Sequence, residues 1–164
     1  MRLFYYLFIT FILISCSNNV ELIFDEDNGG LFLPTGFQSL VVHEGVGQSR
    51  HIAVNENGDI YVKLRLDYGR KGNVALRDKN GDGKADIIQR FGDYPNDGRF
   101  ATEMKINEGY LYYSSERVVY RQKLSSKKLI PDSPVEVILT DPFPIRWHNA
   151  KSIAFDKQNN MYVT

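Results

Sequence analysis

One short pattern recurs at a fixed long interval, and that interval limits what this chain can fold into more than any other feature. Ile52-Ala53-Val54-Asn55-Glu56-Asn57-Gly58-Asp59-Ile60-Tyr61-Val62 reads as strand, tight turn, strand. Met104-Lys105-Ile106-Asn107-Glu108-Gly109-Tyr110-Leu111-Tyr112-Tyr113 repeats it with one residue fewer in the turn, and the segment from Ile153 to Val163 repeats it again. The aligned tyrosines are Tyr61, Tyr112 and Tyr162, a period of 51 and then 50 residues, within the range that builds propeller blades. A blade is a four-stranded meander whose innermost strand lines the central axis. The repeated hairpins are then the inner strand pairs, and Val118-Val119-Tyr120-Arg121 and Val135-Glu136-Val137-Ile138-Leu139 are outer strands. A β-sandwich also uses short strands and tight turns, but has no reason to repeat at such an interval.

From Phe32 onward, runs rich in Val, Ile, Tyr and Phe alternate with Gly, Asn, Asp and Pro. No segment sustains the helical apolar period of about 3.6 residues. The expected fold class is all-β, a β-propeller represented by about two and a half blades at this period. Its C-terminus reads as truncated, because Asn160-Met161-Tyr162-Val163-Thr164 would be the second strand of the third hairpin.

The first fifteen residues differ in kind. Arg2 precedes an apolar run from Leu3 to Ile14 relieved only by Thr10, too short to cross about 30 Å of hydrocarbon as a helix. A positive start, a short apolar stretch and a small residue describe an export signal. The run ends in Leu13-Ile14-Ser15-Cys16, which resembles the bacterial lipobox, where the cysteine after the cut carries the lipid. Cys16 is the sole cysteine of the chain, so it cannot form an internal disulfide, and acylation accounts for it. A signal peptide with a chance cysteine is the plainer alternative. Residues 1–15 are therefore expected as a lipoprotein signal, 16–31 as a lipid-anchored solvated tether, acidic at Asp25-Glu26-Asp27, and 32–164 as the propeller domain. Ser17 after the cysteine resembles the outer-membrane sorting pattern. Twenty basic side chains balance twenty acidic ones, which argues against a sequence-independent nucleic-acid partner.

Residues just before each inner strand should lie at one mouth of the central channel. Aligning Ile52, Met104 and Ile153 gathers Gln48 and Arg50, then Arg99 and Thr102, then His148, Asn149 and Lys151. His43 reads as solvated in an opening strand, and His51 as a residue preceding the first inner strand that lines the channel. Separately, Asp78-Lys79-Asn80-Gly81-Asp82-Gly83-Lys84-Ala85-Asp86 matches the start of a calcium loop, with side-chain oxygens from Asp78, Asn80, Asp82 and Asp86, the backbone of Lys84, and glycine at the sharp turn. Gln89 stands where an EF-hand has a bidentate glutamate, and the flanks read as strands. Two readings stay open: a calcium loop between strands, and a plain Asn-Gly and Asp-Gly turn.

Arg50-His51-Ile52-Ala53-Val54, Ala75-Leu76-Arg77-Asp78, Glu116-Arg117-Val118-Val119-Tyr120-Arg121 and above all Trp147-His148-Asn149-Ala150-Lys151-Ser152-Ile153-Ala154-Phe155-Asp156 resemble the glucose/sorbosone dehydrogenase family. The resemblance implies a six-bladed propeller that uses pyrroloquinoline quinone to oxidise sugars, with an electron acceptor as second partner. It implies His148 as the general base, since imidazole titrates near working pH and can take a hydroxyl proton while hydride leaves for the quinone. A packing histidine at a strand start is the plainer reading of His148. Trp147 departs from the acidic residue of the better-known glucose enzymes, and no quinone-holding residue carries over. The 164-residue chain alone is expected to be inactive, as three inner strands cannot ring a channel. A non-catalytic propeller that binds a glycan or a protein partner is the competing expectation.

Overall fold

The computed structural model describes residues 22–68, 71–93, 103–141 and 151–164. Among the described residues ten strands form three antiparallel sheets in chain order. The first holds β1 (Ser49–Val54), β2 (Ile60–Tyr68), β3 (Lys71–Arg77) and β4 (Ile87–Asp93); the second holds β5 (Met104–Asn107), β6 (Tyr110–Ser114), β7 (Val118–Lys123) and β8 (Glu136–Thr140). The third is the pair β9 (Ile153–Phe155) and β10 (Met161–Val163). Each four-stranded sheet is a simple meander, as blades require. The three repeated hairpins are β1–β2, β5–β6 and β9–β10, as the repeat predicts, and the outer strands fall where expected. All-β architecture with propeller blade topology is thus the fold of this chain.

The turns show why the repeat is legible. In the first hairpin the Asn55 amide donates to the Asp59 carbonyl at 2.8 Å and the Gly58 amide to the Asn55 carbonyl at 2.9 Å. The third hairpin copies this, with Asp156 to Asn160 at 3.1 Å and Asn159 to Asp156 at 3.1 Å. Asn159 takes the left-handed position of Gly58, φ 63° against 88°, a conformation that asparagine tolerates. The shorter second turn places both Glu108 and Gly109 at positive φ, 48° and 72°, the geometry of a two-residue hairpin loop matched to strand twist.

Strand alternation then sorts the side chains between neighbouring blades. Tyr61, Ala75 and Phe91 of the first sheet meet Met104, Leu111, Tyr113, Val118 and Tyr120 of the second. The other face of the second sheet, with Tyr112 and Val119, receives Ile153, Phe155, Met161 and Val163 of the third. Tyr112 and Phe155 meet edge to face at 4.8 Å, a favoured aromatic geometry. Strand β5 touches both β1 and β9, so the first strand of each blade is the inner one.

The remaining face of the first blade carries Val62, Leu64, Val74 and Leu76, packed with Val42 and Val46. The segment that supplies these two residues is pinned by backbone bonds, Ala85 amide to Val42 carbonyl at 2.9 Å and Arg65 amide to Gln48 carbonyl at 2.7 Å. Two expectations change here. Residues 25–30, expected within a free tether, are solvent-exposed for the most part but folded: a short 3-10 turn over Asn28–Gly30 is held by Ser39, and the Asp25 carboxylate accepts the Val41 amide at 2.6 Å. His43 is exposed as expected but lies outside any strand, because its segment bonds to side chains and loop amides instead of a ladder. The signal and Cys16 lie outside the described residues.

Candidate functional site

At the mouth end of the inner strands, the structure brings together a histidine and a carboxylate that the sequence reading did not pair. His51 lies within β1, not before it, and its Nε2 meets Glu103 Oε1 at 2.7 Å. Glu103 is buried, its side chain 9% exposed against 35% for His51. Its Oε1 also accepts the Met104 amide at 3.0 Å, and its Oε2 accepts the Ile153 amide of the third blade at 3.4 Å. The backbone of Glu103 is locked as well, its amide donating to Ser114 Oγ at 3.1 Å and its carbonyl accepting the Ser114 amide at 3.1 Å. One carboxylate therefore ties three blades together. A buried carboxylate is tolerated when such donors replace its water.

Next to His51 in the cross-strand register stands Lys63, 1% exposed, whose ammonium donates to the carbonyls of Gly72 at 3.1 Å and Leu64 at 3.4 Å. Gln48 and Arg50 are exposed at this end, and Arg50 has no acidic partner among the described residues. Lys151, grouped with them by the sequence, is instead ion-paired with Asp141 Oδ2 at 2.7 Å and mostly buried. Arg99, Thr102, His148 and Asn149 lie outside the described residues. Glu103 was missed because a lone acidic residue before a strand reads as solvated. The signal that finds it is the repeat itself, which sets Glu103 in line with His51.

The Asp-rich loop connects β3 to β4. Asp78 Oδ1 accepts the Asn80 and Gly81 amides at 3.1 and 2.7 Å, and Oδ2 accepts Gly83 at 2.7 Å. Burial raises the Asp78 pKa, but these amides outweigh it and hold the carboxyl below its ordinary value. Asn80 Oδ1 takes the Asp82 amide at 3.1 Å, Asp82 Oδ1 takes Lys84 at 2.8 Å, and Asp86 Oδ2 takes Lys79 at 2.7 Å. Lys84 reaches Asp25 at 3.2 Å. Among the described residues no three acidic, histidine or cysteine side chains are grouped as a metal site. The loop is closed against the N-terminal segment: a methyl group added to Gly83 would sit 2.7 Å from Leu40.

Other half-buried aspartates share this depressed state. The Val41 amide and Lys84 lower Asp25, and Asn160 with Tyr162 and the Gln158 amide lowers Asp156. A carboxyl whose folded pKa lies below its unfolded value contributes stability above the unfolded pKa and loses it as pH falls through the folded one. The urea midpoint is therefore expected to fall progressively as pH drops from about 5 toward 2. A midpoint constant across that window, in denaturation followed by tryptophan fluorescence, would contradict this assignment.

No family model matches the sequence, and no curated protein matches it. The fold is similar to that of a solved structure, the holo form of the PQQ domain of pyranose dehydrogenase from Coprinopsis cinerea, with a TM-score of 0.55 and 12% sequence identity. The match covers 71% of this chain and 27% of that one, so the chain spans about a quarter of the length of the protein it resembles. At this identity the likeness establishes the β-propeller fold.

Proposed function

We propose that the complete protein is a sugar dehydrogenase of the quinone-dependent propeller type, exported and lipid-anchored through Cys16 to the cell envelope at the outer membrane. The observation that carries this reading is the similarity to a PQQ domain, joined to the Trp147–Asp156 segment that places His148 five residues before β9. Pyrroloquinoline quinone, when bound, supplies the hydride acceptor. An anionic quinone needs several cations around it. Of the described residues Arg50 fits that need, exposed and without an acidic partner at the mouth, whereas Lys151 is already neutralised by Asp141. The other cations would come from further blades. His148 would take the proton of the sugar hydroxyl.

The test is sugar-dependent dye reduction by the complete, quinone-loaded protein. His148→Ala is expected to lower turnover by about a hundredfold or more, and unchanged turnover would remove His148 from the chemistry. A non-catalytic propeller that binds a glycan or a protein is favoured by a specific observation, the neutralisation of Lys151 by Asp141. Quinone fluorescence titration separates the two: saturable quinone binding supports the dehydrogenase, and its absence from the complete protein supports the binding module.

A further inference from the structure

His51 and Glu103 hold the same place in consecutive repeats, the residues before Ile52 and Met104, and each reaches forward to the next blade. The Glu103 carboxylate is gripped by two backbone amides from two blades, so it presents Oε1 to His51 from a fixed position. An ionised carboxylate can only accept, so the 2.7 Å contact calls for a proton on Nε2, and in the neutral ring Nδ1 then keeps its lone pair. This is the carboxylate–imidazole arrangement that fixes a ring and its tautomer for work at the other nitrogen. The imidazole is about a third exposed, on the innermost strand at the channel mouth, and among the described residues its close polar contact is with Glu103. Among the described residues no group of three metal-ligating side chains includes it, and an open imidazole nitrogen suits a hydroxyl donor.

We propose that His51 accepts a hydroxyl of a sugar at the channel mouth through Nδ1, with Glu103 as its positioning residue. The inference rests on the reading of this mouth as a sugar site. It concerns binding, and leaves the proton abstraction to a different group.

The experiment uses the complete protein labelled with 15N at histidine, with His51 assigned by the resonances that His51→Asn removes. In the unsubstituted protein Nε2 should be protonated and Nδ1 a bare acceptor, and Nδ1 should shift when D-glucose or D-galactose is added. Glu103→Gln, whose amide can donate toward the ring, should redistribute the tautomers. His51→Asn should raise KM for the sugar about tenfold while changing kcat by less than about threefold, as loss of one ground-state hydrogen bond implies. Three results would overturn the proposal alone: a proton on Nδ1 in the unsubstituted protein, calorimetric sugar binding that leaves Nδ1 unmoved, or a fall in kcat with KM unchanged. Neither heat nor shift with either sugar would overturn the sugar site and this proposal together. The spectra of the unsubstituted protein decide the tautomer even if a variant fails to fold.

Discussion

Replacement of Tyr61 by alanine is expected to cost about 3–5 kcal/mol, as for a fully buried aromatic ring lost from a core. The ring is wholly buried between the first and second blades, 6.1 Å from Phe91 in an edge-to-face contact. Its hydroxyl crosses the interface to donate to the Leu129 carbonyl at 2.9 Å. Burial, reinforced by the charge of Asp59, pushes this phenol up to about 12, so it remains a donor across the usable pH range. Tyr61→Ala removes both the ring that fills the interface and the donor that satisfies Leu129. Tyr61→Phe removes the donor alone and should cost about 1 kcal/mol. Equilibrium urea denaturation checks both. A loss below about 1 kcal/mol for the alanine variant would mean that the interface closes over the gap, contrary to close packing.

That Tyr61 matters was legible before any coordinates, because it is the residue on which three repeats align. Period and turn chemistry together gave the hairpins: Gly58, Gly109 and Asn159 sit at the left-handed positions that the turns demand, and β-branched and aromatic residues mark the strands between them. The segment before β1 was far less legible. It covers a sheet face without joining a sheet, so Val42 and Val46 follow no period of two, and the acidic residues nearby suggest solvation. Asp25 contradicts its composition by bonding to Val41 and Lys84. Such contacts depend on where a coil lands, which no local pattern records.

The convergence of the inner-strand starts was legible, and their partners were not. Alignment of the repeats placed Gln48, Arg50 and Lys151 near one mouth, but it could not show that Asp141, at the end of β8, takes the Lys151 charge. Nor could it show that Glu103 faces His51 across an inter-blade gap. Both pairs join residues from different repeats or different strands, and their geometry follows from the tilt of one blade on the next. Within the Asp-rich loop, the calcium and turn readings use the same residues. The hydrogen bonds there are those common to both, each carboxylate capping backbone amides of its own loop.

Asp59→Ala should be the most damaging single change at a charged position of the first blade, at about 2–3 kcal/mol. Asp59 is 1% exposed and directly precedes β2, opposite the end of β3 in the register Ile60 to Leu76. There the Arg77 fork meets it with Nε and Nη2, both at 2.6 Å, while Asn57 Nδ2 donates to its Oδ2 at 2.9 Å. Bidentate pairing of this kind is among the stronger charge contacts, and Asp59 raises the Arg77 pKa further above its already high value. Removing one partner of a buried pair costs about 3–5 kcal/mol, because the other is left without its counter-charge. The Arg77 side chain is 26% exposed and recovers part of its hydration, which sets the lower expectation. Asp59→Ala combined with Arg77→Met should therefore be more stable than Asp59→Ala alone, since no guanidinium is then stranded. A double-mutant cycle in urea measures the coupling directly. If the two substitutions simply add, the pair contributes nothing beyond its separate contacts.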